Sequence, residues 1–348
     1  MVHIPCACSR LQKDKPHFRN HLNQANEKIL NLIFGGIFLI AASLVHAAWP
    51  DRQITLVVPF PAGGGTDIVG RIIAKELAQR LRVNVVVENR PGASGNIGAR
   101  QVSKARPDGY TLLICSTAQT ISGALYTQAG YDVVNDLEAI STINDGPLVL
   151  ITRPGLKLAS VQDLIELARR SPGKLTYATP GYGSAGHMAA EALSLAADIR
   201  MLHIPYQGAA PMMSDLVSGQ VDIAFDLLIT AKQYVHQGKV NRVGVATRER
   251  SPLMPDWQTL SEQSPARLGN FNETSWNVLM APKGTPAAIV NAINAQMKNI
   301  LTDEKVQKKF MELGSIPLWK SVDNTKAFVS DDARKWRKVV SDAGIAKI

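Results

Sequence analysis

Residues 56–67 constrain the fold of this chain more than any other stretch. An apolar run suited to a buried parallel strand ends in two prolines and three successive glycines, and a helical pattern of apolar residues follows at once. Backbone N–H groups at such a helix N-terminus favour a bound anion, and glycines let the backbone approach a ligand without a Cβ in the way. The stretch therefore predicts an anion-binding loop between a strand and a helix.

The same strand, glycine turn and helix recur in the middle of the chain. A strand pattern over residues 175–179 runs into a glycine-rich turn, and a helical pattern covers residues 188–197. A strand predicted over residues 110–115 ends in the small hydroxyl residues Ser116 and Thr117, and residues 148–152 predict a strand where a second unit begins. This alternation predicts an α/β fold with a mostly parallel sheet, whose ligands bind beyond the carboxyl ends of the strands.

The first 47 residues have the pattern of a secretory signal peptide. Residues 32–45 form a nearly uninterrupted apolar run, Lys28 precedes it, and Val45, His46 and Ala47 suit a cleavage site. An uncleaved membrane anchor is the alternative interpretation, but the run is shorter than the ~20 residues that a membrane span needs. We therefore predict that residues 1–47 are removed and that the protein is periplasmic.

Composition excludes several classes of function. Of the 348 residues, 45% are hydrophobic and 19% are charged, which is typical of a globular chain with room for two domains. The charges are dispersed and only 6% of the residues are aromatic, whereas nucleic-acid binding favours a basic stripe with interleaved aromatics. Beyond residue 47 the chain has one cysteine, Cys115, and its histidines lack metal-ligand spacing. We expect no nucleic acid, disulfide, metal or cofactor.

Two nucleotide-binding motifs come close to matching and fail. The glycine spacing that starts at Gly65 resembles a P-loop, but Arg71 and Ile72 stand where the motif needs Lys and Ser or Thr. The glycines at 181, 183 and 186 have dinucleotide-binding spacing after a strand, but the acidic residue expected about 20 positions further on is missing. Because neither motif is complete, we expect both glycine loops to bind a ligand other than a nucleotide.

Four polar residues near these turns have both a structural and a functional interpretation. Ser184 and His187 suggest a nucleophile and its base, but position 182 is Tyr and no acid is placed to orient the histidine, so we expect His187 to pack or hydrogen-bond. Asp67 suits a first helical turn and is also placed to contact a ligand. A carboxylate beside Asp67 would be repelled unless an amino group, a hydroxyl or a water intervened. Asp226, which closes a predicted strand, is a further contact candidate.

Several longer motifs together carry a specific resemblance. The chain resembles the substrate-binding proteins of tripartite tricarboxylate transporters, the Bug family of periplasmic solute receptors, over essentially all of residues 49–348. It departs from the family pattern at residues 118–124, Pro180 and Tyr182. The ligand of a relative therefore cannot be assigned to this chain. The matching segments are 49–52, 57–67, 87–98, 106–110, 183–187, 205–208, 215–216, 219–222 and 281–286.

The resemblance implies a two-domain clamshell of the type II periplasmic-binding class. Domain I would comprise residues 49–148 plus 279–348, and domain II residues 149–278. Such a receptor captures a small organic acid between its domains as a monomer and delivers it to the membrane subunits of a tripartite tricarboxylate-type transporter, with no bond made or broken. The alternatives are a ligand-sensing subunit for a signalling kinase, and a hydrolase that uses the same cleft.

The resemblance also implies that the two glycine loops oppose each other across the cleft. Their backbone N–H groups, with bridging waters, would hold the ligand carboxylate, while Phe60 would limit ligand size and Tyr206 and Asp226 would line the second wall. Together with the residues at the strand ends, the predicted ligand-binding set is Phe60, Gly63, Gly64, Gly65, Thr66, Asp67, Ser116, Thr117, Gly183, Ser184, Ala185, His187, Tyr206 and Asp226.

Overall fold

The computed structural model describes residues 49–342 together with residues 345 and 347. The predicted signal peptide lies outside these described residues. Among the helices of the described part, none is long and apolar enough to cross a bilayer.

The described residues alternate between strands and helices, as the sequence predicts. The strands are β1 (Ile54–Val58), β2 (Val85–Asn89), β3 (Thr111–Ser116), β4 (Leu137–Thr152), β5 (Thr176–Thr179), β6 (Leu202–Pro205), β7 (Ile223–Leu227), β8 (Asn241–Val245), β9 (Thr274–Pro282) and β10 (Ile316–Pro317). The helices are α1 (Gly65–Leu81), α2 (Asn96–Ser103), α3 (Thr117–Leu125), α4 (Val161–Arg170), α5 (Ala185–Ala197), α6 (Ala209–Ser218), α7 (Leu228–His236), α8 (Leu260–Gln263), α9 (Pro265–Leu268), α10 (Ala287–Leu301), α11 (Glu304–Leu313) and α12 (Val322–Asp342).

The strands pair in the order β2-β1-β3-β9-β4-β7-β5-β6, and β8 and β10 also pair with β4. In the first half β1, β2, β3 and β4 run one way, while β9 and β10 run the other way. In the second half β5, β6, β7 and β8 share a direction and β4 opposes them. Most strands in each half are therefore parallel, which confirms the predicted α/β class.

The long strand β4 joins the two halves of the sheet. Its residues 137–147 pair with β9, whereas residues 148–152 pair with β7 and β8. The sequence predicted only the second part, because Asn144, Asp145, Gly146 and Pro147 are poor strand formers. In the structure these four residues pair in continuous register with residues 274–277 of β9, and the register shifts of this pair of strands come before them, between residues 139 and 141 and between 142 and 144. The border predicted after residue 148 falls within β4, and the division into two domains stays a prediction.

Both faces of the sheet are buried, which explains the uninterrupted apolar runs. In β1, Leu56, Val57 and Val58 are all fully buried. Alternate residues of β4 enter different clusters: Leu148 packs with the residues around Tyr177, and Val149 packs with those around Met212. Because helices cover both faces, polar groups can meet a ligand only where strands end, and there the loops and helix N-termini form the site.

Candidate functional site

The first glycine loop follows β1 and ends at the start of α1. Gly63 has a left-handed φ of 83°, a conformation that costs glycine little, and its N–H donates to Asp67 Oδ2 at 2.9 Å. Gly64 caps α1 in an extended conformation and has no side chain to accept from the first-turn N–H groups. Helix α1 therefore begins with N–H groups that no capping side chain covers.

Asp67 stabilises this loop from a buried position. It is 2% exposed, and besides the Gly63 N–H it accepts from Arg71 Nε at 2.9 Å and from Asn89 Nδ2 at 2.8 Å. Asn89 also donates to the Phe60 carbonyl at 3.0 Å, which ties the loop to the end of β2. Burial favours a raised pKa for Asp67, but the bonds from Arg71, Gly63 and Asn89 outweigh it and hold the pKa below its usual value. Asp67 is thus a paired carboxylate.

The second glycine loop follows β5 and repeats this geometry with a neutral acceptor. Gly183 has a φ of 77°, and its N–H donates to His187 Nδ1 at 3.2 Å. Ser184 caps α5, its Oγ accepting from the His187 backbone N–H at 3.2 Å. A glycine N–H is again held by the side chain four residues further on.

His187 belongs to a buried stack of rings. Its ring lies 4.3 Å from that of His203, which in turn stacks on Tyr177 at 4.7 Å between centroids. Burial, with a smaller contribution from His203, lowers the pKa of His187 to about 3, so the imidazole is neutral. Its Nδ1 lone pair is engaged by Gly183, and Ser184 Oγ is engaged as a cap. The pair therefore lacks the geometry of a nucleophile and its base.

One cavity of about 500 Å³ lies against both loops. That volume falls in the range of ligand pockets, ~300–1000 Å³. Of the predicted site residues, those that line it are Phe60, Gly64, Gly65, Thr66, Ser116, Ser184, Ala185, Tyr206 and Asp226. Gly63, Asp67, Thr117, Gly183 and His187 lie behind this lining, and Thr117 Oγ1 accepts from the Trp276 N–H at 3.1 Å.

A third loop, residues 91–95, lines the cavity and was not among the predicted site residues. Four successive residues have positive φ: Gly92 (126°), Ala93 (48°), Ser94 (54°) and Gly95 (90°). Ala93 and Ser94 incur a steric penalty there, of the kind that clusters at ligand clamps. Ser94 Oγ donates to the Tyr182 carbonyl in the second loop and accepts from the Tyr126 hydroxyl. The sequence signal was available, because a Pro-Gly-Ala-Ser-Gly run directly follows a parallel strand.

The second wall comes from the segments after β6 and around the end of β7. Tyr206 presents its ring to the cavity while its hydroxyl donates to Asp215 Oδ2 at 2.7 Å, and burial with Asp215 raises its pKa to about 12. Gly208 caps α6 without a side chain, and the first residues of α6 also line the cavity. Asp226 is 2% exposed, and its burial raises its pKa to about 6.

Glycines permit close contact between the two halves around this cavity. A Cβ on Gly65 would lie 2.7 Å from Leu227 Cδ1, and a Cβ on Gly208 would lie 3.1 Å from Pro61 Cγ. The first contact joins the start of α1 to the end of β7, and the second joins the loop before α6 to the loop after β1. The residues on the two sides are thus packed against each other with the cavity between them.

The first residues of α1, α5 and α6 line the cavity together, so three helix N-termini give it a positive potential. The described lining residues include no Lys, Arg or His. Among the described residues no group of three metal-ligating side chains occurs. The arrangement can hold an anion through N–H groups and hydroxyls, and it offers no activated nucleophile. Such a cavity between two halves of an α/β sheet is typical of solute-binding proteins.

Comparison with known proteins identifies the family. The family described as "Tripartite tricarboxylate transporter family receptor" matches residues 69–345, and this chain belongs to that family. Protein BugT of Bordetella pertussis is 33% identical over 317 residues, covering 89% of this chain and 96% of that protein. The resemblance seen in the sequence is thereby confirmed.

Solved structures agree in fold. The structure named "R. palustris Rpa4515 with adipate" is 34% identical, with a TM-score of 0.83 over 86% of this chain and 100% of that chain. MatC from Rhodopseudomonas palustris with bound malate is 29% identical, with a TM-score of 0.79 over 84% of this chain and 100% of that one. Both proteins bind small carboxylates, and both have the periplasmic-binding fold that this chain shares.

Proposed function

We propose that this protein is a periplasmic receptor that captures a small organic acid in the cavity and delivers it to the membrane subunits of a tripartite tricarboxylate-type transporter. The observation that carries the proposal is the convergence of three helix N-termini on a cavity whose described lining has no basic side chain. Such a site binds a carboxylate through backbone donors. The adipate and malate bound by two structural neighbours support the same ligand class.

The N-terminus of α1 is the strongest candidate for the carboxylate site. Gly64, Gly65 and Thr66 line the cavity, and no side chain caps this helix. The N-terminus of α5 is different, because Ser184 Oγ already accepts from the His187 N–H. Helix α6 also begins without a capping side chain, but its third residue is Pro211, which has no N–H to donate. We assign the carboxylate to α1, with Ser184 and the first N–H groups of α5 closing on it from the other side.

The predicted residues behind the lining have a positioning role in this proposal. Asp67 and His187 fix the glycines that precede α1 and α5, and they do so from buried positions. The repulsion expected between Asp67 and a bound carboxylate is offset, because Arg71 Nε donates to Asp67 at 2.9 Å. Gly63, Thr117 and Gly183 would act through the same backbone framework.

A thermal-shift screen of residues 49–348 against organic acids tests ligand capture. An acid at about 100 times its Kd should add about 2.7 kcal/mol to the free energy of unfolding. The matched control is the amide of each acid that raises the melting temperature, since the amide keeps the shape and loses the charge. If no acid raises the melting temperature, or if amides act equally well, carboxylate capture is wrong.

Delivery and location need cellular tests. Deleting the gene should abolish uptake of the labelled acid, and expression of the full chain should restore it. Cell fractionation should recover the processed chain, as a monomer, from the periplasm. Uptake that is unchanged in the deletion strain would contradict delivery while leaving ligand capture intact.

A further inference from the structure

The third loop, residues 91–95, links the two halves of the sheet beside the cavity. The loop follows β2 in the first half, and Ser94 Oγ donates to the carbonyl of Tyr182, which lies in the second glycine loop after β5. Both residues line the cavity. A hydroxyl has a single hydrogen, and this bond uses it. The bond therefore joins the two halves directly beside the proposed ligand site.

Ser94 is fixed from the first half through its side chain and its backbone. The Tyr126 hydroxyl donates to Ser94 Oγ at 3.2 Å, which occupies a lone pair and leaves the Ser94 hydrogen for Tyr182. Gln119 Nε2 donates to the Ser94 carbonyl at 3.1 Å. Gln119 is 1% exposed, and its Oε1 accepts from the Ser116 N–H at 2.7 Å. Helix α3 thus holds the third loop in place.

The backbone of the third loop is held in a conformation that presents the Ser94 hydroxyl to the second loop. Ala93 and Ser94 are successive left-handed residues, with φ of 48° and 54°. Residues with a Cβ adopt this conformation only where surrounding contacts enforce it. A Cβ added to Gly181 of the second loop would lie 3.7 Å from Ser94 Oγ. The donor is therefore positioned before any ligand is considered.

The other contacts at this junction are apolar. The Tyr182 ring packs on His187 with 4.5 Å between centroids. Tyr126 and Tyr182 both pack against a buried cluster that brings Leu125 of the first half together with Met188 of the second. Apolar packing has no preferred direction, whereas a hydrogen bond requires a defined geometry. Ser94 therefore supplies the directional part of the contact between the halves.

From these observations we infer that Ser94 is a positioning residue for ligand capture, whose hydroxyl holds the second glycine loop against the first half and so stabilises the closed form. The inference rests on the proposed function, because the halves of a receptor must separate to admit a ligand. Ser94 acts on the ligand through the start of α5, which the second loop carries. Loss of its bond should speed release of a bound acid more than it changes entry.

Pulsed electron paramagnetic resonance on residues 49–348 tests the inference without any ligand. Spin labels at Gln101→Cys in α2 and Leu195→Cys in α5 occupy exposed positions in different halves, and Cys115 is buried. The label separation that matches the structure marks the closed form. Ser94→Ala should lower the ratio of closed to open protein about fivefold, the effect of one lost hydrogen bond.

Two further variants separate the hydroxyl from the backbone and from general stability. Ser94→Gly removes the same hydroxyl and suits a positive φ, so it should open the protein as Ser94→Ala does while relieving backbone strain. Ser261→Ala is the matched control, because the buried Ser261 hydroxyl donates to the Phe271 carbonyl at 3.0 Å within the second half. It should cost stability and leave the label separations unchanged.

Stopped-flow kinetics with the organic acid that most raises the melting temperature in the thermal-shift screen give a second readout. Ser94→Ala should raise the dissociation rate about fivefold and change the association rate less than about twofold. Tyr126→Phe keeps the ring and removes the donor to Ser94 Oγ. In the Ser94→Ala background it should add less than about twofold to the dissociation rate, because the two hydroxyls act together.

The outcomes separate the inference from the proposed function. Identical label separations in Ser94→Ala and the wild type would overturn the inference, and so would an equal shift in Ser261→Ala or an unchanged dissociation rate. A shift that Ser94→Gly fails to reproduce would also overturn it, because the backbone would then be responsible. The proposed function fails on a different result, when no organic acid stabilises the protein in the screen. The ligand-free label separations still decide the role of Ser94 in that case.

Discussion

The two glycine loops share one geometry and use opposite chemistry to hold it. In the first, the Gly63 N–H donates to the ionised carboxylate of Asp67, and in the second the Gly183 N–H donates to the neutral ring of His187. In both, a left-handed glycine precedes a helix N-terminus and is fixed by the side chain four residues further on. The two loops therefore share a hydrogen-bond acceptor at that position, but the acceptor is charged in one loop and neutral in the other.

The two acceptors are kept in different charge states by different surroundings. Asp67 stays charged because Arg71, Gly63 and Asn89 donate to it, which lowers its pKa against the effect of burial. His187 stays neutral because burial, helped by stacked His203, lowers its pKa to about 3. One loop depends on polar partners and the other on an apolar environment, so they should respond differently to mutation and pH.

Removing the charged acceptor should have the largest effect. Asp67→Ala removes the acceptor of the Gly63 N–H and one acceptor each of the Asn89 amide and the Arg71 guanidinium, and we expect a loss of about 2–3 kcal/mol in the free energy of unfolding. Asp67→Asn keeps one acceptor oxygen and should lose about half as much. Urea denaturation measures both. Equal stability of Asp67→Ala and the wild type would show that the first loop is not held as described.

The next largest effect separates contact between the halves from helix stability. Gly65→Ala places a Cβ 2.7 Å from Leu227 Cδ1 and 2.9 Å from Ile229 Cγ2, so these side chains must shift, and ligand affinity should fall about tenfold or more because Gly65 and Leu227 both line the cavity. Gly123→Ala is the control, because Gly123 also lies in a helix but a Cβ there would meet no neighbouring group within 4 Å. It should leave affinity unchanged. Equal affinities for the two variants would contradict this role of Gly65.

The second loop should make an acid-sensitive contribution to stability, whereas Asp226, whose pKa burial raises to about 6, contributes with the opposite sign over the same pH range. Unfolded His187 binds a proton as pH falls through about 6.5, whereas folded His187, with its pKa near 3, does not. The contribution of His187 to the free energy of unfolding is therefore complete above pH ~6.5. It is lost as the pH falls toward 3, by up to ~1.4 kcal/mol per pH unit. His203, whose pKa burial lowers to about 4, adds a second contribution of the same sign.

Replacing His187 isolates its share of this acid sensitivity. His187→Asn keeps an acceptor for the Gly183 N–H and removes the titrating ring. Between pH 7 and pH 5 the change in the free energy of unfolding, measured with urea, should be less destabilising in the variant than in the wild type. An unchanged difference between the two pH values would mean that His187 does not stay neutral in the fold. Asp67 should contribute nothing over this interval, because its pKa lies below it.

The smallest expected effect concerns the cap of α5. Ser184→Ala removes the acceptor of the His187 N–H and should cost about 1 kcal/mol of stability, with a loss of affinity because Ser184 lines the cavity. Ser160→Ala is the matched control, since Ser160 caps α4 in the same way and does not line the cavity. It should cost similar stability and leave affinity unchanged. If both variants lost affinity to the same extent, Ser184 would not contact the ligand.

Much of this architecture follows from local sequence patterns. Uninterrupted apolar runs such as β1 predict buried strands, and a glycine turn followed by helical periodicity predicts the starts of α1 and α5. The backbone conformation of the third loop could not be predicted in the same way, because Ala93 and Ser94 occupy positive φ against their intrinsic preference. Their conformation is imposed by contacts such as the Ser94 bond to Tyr182, which lies 88 residues away.

The contacts of Asp67 and His187 also could not be predicted from the sequence alone. Their positions in a first helical turn were evident from the sequence, but the atoms they contact depend on the φ of a glycine four residues earlier. The first part of β4 was missed for a related reason, since pairing with β9 overrides the poor strand propensity of its residues. Tertiary contacts decided each of these features.

The uncapped N-terminus of α1, which we propose as the site of the ligand carboxylate, can be tested directly at Gly64. Gly64 has φ −75°, and a Cβ there would meet only the Pro61 carbonyl at 3.5 Å, so both Gly64→Asp and Gly64→Asn are compatible with the fold. Calorimetry with the most stabilising organic acid compares them. We expect that Asp, which places a competing negative charge at the helix N-terminus, weakens binding at least about tenfold more than neutral Asn does. Equal affinities for the two variants would contradict it.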